Sequence, residues 1–102
     1  MVASPESEGR VVAPAELSIE ARTAFRQTAI AVLEELPERQ ARLTIDLSST
    51  KRVDSAGLGA LMLVQRKAAE RGQTVVLSGA SDEIRFLLTL TRLDDLFSFE
   101  SG

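Results

Sequence analysis

Strand-like and helix-like segments alternate along this chain, which places it in the α/β class. Three observations carry that expectation. Leu43-Thr44-Ile45-Asp46-Leu47 alternates strictly between apolar and polar residues, the pattern of a strand with one covered and one wetter face. Thr74 to Leu77 is β-branched and apolar, a second strand. Between them, Gly57 to Arg71 carries apolar residues at helical spacing, and Gly72 follows in the usual place for a helix stop.

The other elements fill in around these. Arg10 to Pro14 is a short first strand, confined by Pro14 to an edge or an end. Ser18 is placed to cap a helix running to about Leu36, with Glu20 in its first turn and Pro37 just beyond. Ala21, Phe25, Ala29, Val32 and Leu36 form its buried stripe, while Glu20, Gln27, Glu34 and Glu35 fall elsewhere. Ser48 to Lys51 is a turn. Ser78-Gly79 is another, and Ser81-Asp82-Glu83 starts a last helix whose buried stripe is Ile84, Leu87, Leu88 and Thr91. Leu96 to Phe99 is a short final strand. The order strand, helix, strand, helix, strand, helix, strand favours parallel pairs and crossover helices.

Composition narrows the function classes. A chain of 102 residues is sized for one domain. A net charge of −3 and four aromatics, all Phe, argue against a nucleic-acid partner, which needs a basic face and stacking surfaces. There is no Cys, so neither a disulfide nor a thiolate site exists, and no His, the commonest general base and metal ligand. No apolar run approaches the ~20 residues that span a bilayer. Positions 1–9 are polar and lack the pattern of a signal peptide, so they read as a mobile leader before a domain at 10–102. The expected location is cytoplasmic, with no membrane insertion and no cofactor.

The chemistry concentrates in Asp54-Ser55-Ala56-Gly57-Leu58-Gly59, where a hydroxyl sits beside a carboxylate at the start of a helix. The plain reading is a helix cap by Asp54 or Ser55, with Gly57 and Gly59 allowing close packing. A catalytic serine is disfavoured, since no His is available to activate it. The two glycines do not make a dinucleotide fingerprint, whose third glycine is missing. Asp94-Asp95 reads as a solvated turn, because no other acidic cluster completes a metal site. Lys51-Arg52 and Arg66-Lys67 read as solvated faces. At 100° per residue, Leu58, Leu61, Met62, Val64, Ala68 and Ala69 face the sheet. Leu63 falls outside that stripe, two turns above Ser55, and beside Gly59 it is a candidate anchor for a partner.

Taken together, Leu43-Thr44-Ile45-Asp46-Leu47-Ser48, Val53-Asp54-Ser55-Ala56-Gly57-Leu58-Gly59, Gly72 before a strand, and Thr91-Arg92-Leu93-Asp94-Asp95-Leu96-Phe97 resemble a STAS domain, the family that joins sulphate transporters and anti-sigma-factor antagonists. Ala15-Glu16-Leu17-Ser18 resembles the family's Gly-Glu-Leu-Asp turn before the first helix. The resemblance runs from Arg10 to Phe99. It implies a single STAS-like α/β domain: a mixed sheet of four to five strands with helices mainly on one face.

The resemblance also implies a non-enzymatic bacterial switch of the anti-sigma-factor antagonist type. The hydroxyl after the Asp is the family's phosphoacceptor, here Ser55, with Asp54 supporting it. Asp54, Ser55, Ala56, Gly57, Gly59 and Leu63 form the expected partner surface. Unphosphorylated, the chain would bind a serine kinase that doubles as an anti-sigma factor. Phosphorylation at Ser55 would release it, and a phosphatase would reset it. The alternative is an accessory subunit stabilising the ATPase of a bacterial lipid-transport ABC system, to which Ala56, in place of a second hydroxyl, is suited. Ala15 and Ser18 depart from the family turn, and little follows Phe99 for the final helix of many members.

Overall fold

The structure, a computed structural model, describes residues 7–101. Its main sheet holds four strands: β1 (Glu8–Val12), β3 (Arg42–Asp46), β5 (Thr74–Ser78) and β6 (Ser98–Glu100), in the order β1-β3-β5-β6. Each consecutive pair is joined through a helix, α1 (Arg22–Glu35), α2 (Ser55–Glu70) or α3 (Asp82–Leu90). Such crossovers yield parallel pairs, and every described pair is parallel. The class is α/β as expected; the antiparallel member of a mixed sheet is not among the described strands.

Alternation sets the two faces. Val11, Leu43, Ile45, Val75 and Leu77 project to one side and share a single buried cluster with Phe25, Ala29 and Leu33 of α1, Leu61 and Val64 of α2, and Ile84 and Leu88 of α3. All three helices therefore cover the same face. The other face is largely polar, with Val12 and Val76 its apolar members, and bears the ion pairs Arg10–Asp46 (2.8 Å) and Arg42–Glu8 (2.9 Å), exposed contacts that contribute little stability. β5 is central, and its residues Val75 to Ser78 are all buried.

Several boundaries depart from the sequence expectation. β1 begins at Glu8 and ends at Val12, so Glu8 and Gly9 of the expected leader 1–9 belong to the sheet; positions 1–6 lie outside the described residues. Ser18 does not cap α1. Its carbonyl accepts the N–H groups of Ala21 (3.1 Å) and Arg22 (2.9 Å) in a preceding turn, so the helix starts at Arg22 behind an Ala21 cap without a side-chain bond. Glu20 is therefore outside the first turn, and the deepest α1 residues include Leu33, which the expected stripe omitted. α2 opens at Ser55 rather than Gly57, with Ala60 buried, Met62 half-buried and Ala69 exposed, against the expected stripe. At its far end Gly72 takes the left-handed φ of +67°, which ends the helix. Ser81 caps α3 as expected, its Oγ accepting the Ile84 N–H at 3.2 Å, while Thr91 lies exposed at the cap beyond the stripe. The chain from Asp94 to Leu96 is a 3-10 turn, so the last strand begins at Ser98.

One element had no expectation. β2 (Glu16–Leu17) and β4 (Arg52–Val53) pair in parallel as a separate small sheet. Around it, Thr50 Oγ1 donates to the Pro14 carbonyl (2.8 Å) and the Lys51 N–H to the Ala15 carbonyl (2.7 Å). These bonds lay the approach to α1 alongside the approach to α2.

Candidate functional site

The small sheet fixes the first turn of α2. The Asp54 N–H donates to the Leu17 carbonyl (3.2 Å), and the Asp54 carboxylate then works in two directions. Its Oδ1 accepts the Gly57 N–H at 2.9 Å, a helix cap. Its Oδ2 accepts the Ile19 N–H at 3.1 Å, from the loop that leads into α1. The Gly57 bond, then the Ile19 bond, holds the Asp54 carboxyl below its usual range. A carboxylate held by these two backbone donors buckles the start of α2 to the loop that leads into α1.

Gly57 explains itself against Leu17. A Cβ there would press into the Leu17 carbonyl oxygen, so only glycine lets α2 approach β2 this closely. Gly57, one of the expected partner-surface residues, is buried and faces inward. Gly59 is the opposite case, with no heavy atom within 4 Å of the place a Cβ would take.

Ser55 occupies the first position of α2, exposed, and its hydroxyl makes no hydrogen bond among the described residues. It opens onto a groove of about 400 Å³ between α1 and α2. Ala56, Gly59 and Leu63, three of the other expected residues, line the same groove, as do Arg22 and Arg26 of α1 and Arg66 of α2. Leu63 is half-buried and not exposed, because α1 packs across α2 beside it. Asp54 lies behind this surface and lines a second groove of about 310 Å³, between β4 and α3, with Lys51, Arg52 and the exposed Phe86 and Leu90. Arg66 and Lys51-Arg52 are thus groove walls as well as solvated charges.

Among the described residues no cluster of His, Cys, Asp and Glu is arranged to hold a metal ion. No helix there is long and apolar enough to cross a membrane. Asp94 and Asp95 sit in the 3-10 turn, away from Ser55 in the sequence and in neither groove.

With this corner assembled, its relatives are identifiable. A family model described as "Mlab, STAS domain" matches residues 1–98. The chain belongs to the STAS family. The fold of this STAS domain recurs in a Planctomyces limnophilus protein described as an anti-sigma-factor antagonist (STAS) domain protein: TM-score 0.78, 18% identity, 91% of this chain and 81% of that one. It also recurs in a sulfate transporter family protein from Wolinella succinogenes, with TM-score 0.75, 19% identity, and 98% and 82% of the two chains. The anti-sigma factor antagonist SpoIIAA in its unphosphorylated form matches at TM-score 0.72 and 14% identity over 100% and 84%. At these identities the likeness is one of fold.

Sequence reasoning missed the arginines of the STAS groove. Arg22 and Arg26 are far from Ser55 along the chain and join it only through the packing of α1 on α2. The sequence pointed elsewhere, because Ser18 and Glu20 fit an earlier helix start, and only the structure shows that α1 opens on Arg22 with no acidic residue in its first turn.

Proposed function

We propose that this STAS domain is an anti-sigma-factor antagonist, switched by phosphorylation at Ser55, whose partner is a serine kinase doubling as an anti-sigma factor. The observation that carries the reading is the exposed, unbonded Ser55 hydroxyl at the start of α2, beside a groove between two helices. Antagonists of that type among the structural relatives support it. In the modification step the Ser55 oxygen bonds to the γ-phosphorus of ATP, the bond to ADP breaks, and the hydroxyl proton leaves to a base on the kinase. The fold tolerates the product, because a helix N-terminus favours negative charge. A docked partner with acidic groups near Ser55 does not, since like charge and desolvation oppose it; a loss of ~3 kcal/mol weakens binding more than a hundredfold. A phosphatase returns the free hydroxyl.

Incubation with ATP and a serine kinase of the anti-sigma-factor type from the source organism tests the reading by intact mass. One phosphate is expected on the wild type and none on Ser55→Ala. An unmodified wild type, or equal modification of Ser55→Ala, refutes it.

A second reading is a subunit that stabilises the ATPase of a lipid-transport ABC system without a phosphorylation cycle. Two observations favour it: the family model carries the Mlab description, and Phe86 and Leu90 are each 68% exposed beside Asp54, apolar surface suited to a lasting contact. Permease and ATPase genes beside this one, with a pull-down that recovers only the ATPase, would decide for it.

A further inference from the structure

Three cations share the groove with Ser55, although the chain as a whole is acidic at −3. No Asp or Glu lines that groove, and none of Arg22, Arg26 and Arg66 has an ion pair among the described residues. Arg10, Arg42 and Arg71 each meet a carboxylate, while six further cations outside the groove have no ion pair among the described residues. What distinguishes the groove is that three cations converge beside a hydroxyl with no carboxylate in its lining. Arg22 also stands in the first turn of α1, where the helix dipole opposes a cation and no acidic residue offsets it. Departures from such a local rule concentrate at functional or strained sites. The one hydroxyl among the residues lining this groove is that of Ser55.

We propose that Arg22 and Arg26, with Arg66 as an outer third, form an intramolecular receptor for a phosphate carried by Ser55. This rests on Ser55 as the modified residue and adds what the modification does inside the protein. A phosphoserine brings about 1.5 to 2 negative charges and three acceptor oxygens, and guanidinium groups bind such oxygens in pairs. The two arginines belong to α1 and the serine to α2, so the phosphate bridges the helices and closes the groove over Ala56 and Gly59. The same contact withdraws the groove's positive charge from any docked partner. Modification thus acts twice, by adding repulsion and by removing the cations that attract acidic side chains.

The test needs no kinase. The full chain is produced with phosphoserine incorporated at position 55, and the second ionisation of the phosphate is followed by phosphorus NMR at low salt. Arginine partners favour the dianion, so the pKa is expected below the ~6 of free phosphoserine, by about one unit, a tenfold weaker hold on the proton. Arg22→Gln and Arg26→Gln should each raise it, and the double variant should leave only the part due to the helix N-terminus; Arg66→Gln should matter less. Thermal unfolding gives a second readout. The phosphate should raise the melting temperature at pH 7.5, raise it less at pH 5, where about half of its second charge is gone, and raise it less in the double variant. An equal phosphate pKa in wild type and double variant overturns the proposal. So does a phosphorylated chain that melts well below the unmodified one. Either failure leaves Ser55 modification by the kinase, scored separately by mass, untouched.

Discussion

Gly57 and Gly59 stand two positions apart on the opening turns of α2 and meet opposite surroundings. Gly57 is pressed against the Leu17 carbonyl, and its N–H is held by Asp54. Gly59 looks onto open space in the groove beside Ser55. The inner side of the turn is saturated: the Asp54 carboxylate accepts the Ile19 and Gly57 N–H groups, and the Asp54 N–H donates to the Leu17 carbonyl. The outer side holds a free hydroxyl, an open backbone and unpaired arginines. Rigidity and availability are separated within one turn, and the rigid half is what presents the available half in a fixed pose.

The sharpest way to break this contrast is Gly57→Ala. The added methyl meets backbone, which cannot swing aside, so a destabilisation of roughly 3 kcal/mol is expected, at the upper end of overpacking costs. Urea unfolding measures it; a loss below ~0.5 kcal/mol would mean that α2 moves freely off β2 and that the inner side is not rigid.

Asp54→Ala comes next. It releases both the α2 cap and the Ile19 loop, and calorimetry should show a melting temperature lower by several degrees. Acid should act on the same bonds. Asp54 is depressed by its Gly57 and Ile19 donors, and Asp46 by the Ser48 side chain and backbone and then by Arg10. Groups depressed in the folded state contribute stability above their unfolded pKa of ~3.9 and lose it as pH falls through the folded value. Stability should therefore be level from pH 7 to about 5 and decline below about 4. Asp54→Asn should flatten that decline in part; an unchanged acid slope would show that the buckle carries no charge-dependent strength.

Gly59→Ala should do the reverse of Gly57→Ala, stabilising the helix by up to ~1 kcal/mol, because nothing obstructs the methyl and the unfolded chain loses freedom. The smallest effect is expected from Ser55→Ala, within ~0.5 kcal/mol by chemical denaturation, since its hydroxyl makes no hydrogen bond among the described residues. A large loss there would move Ser55 from the available side to the structural side.

Much of this was open to reading from the residues. The 43–47 alternation, the Ser81 cap and the Gly72 stop each depend on neighbours within a few positions, and each stands where local chemistry placed it. Ser18 misled because a good capping side chain is only a preference; the chain instead used its carbonyl to close a turn, and α1 began at Arg22. The β2–β4 pair escaped because two-residue strands have no period to detect. Leu63 was placed by helical angle alone, which cannot register a second helix lying alongside.

From its residues alone, this chain specified an α/β layering, a STAS motif and a serine at a helix start, since periodicity, capping and motif spacing are short-range properties. Tertiary packing decided the rest. It set Gly57 against Leu17, gave Asp54 a second task at Ile19, and brought Arg22 and Arg26 to Ser55. Those contacts join residues about thirty or more positions apart, and no local rule of sequence measures the distance between them in space.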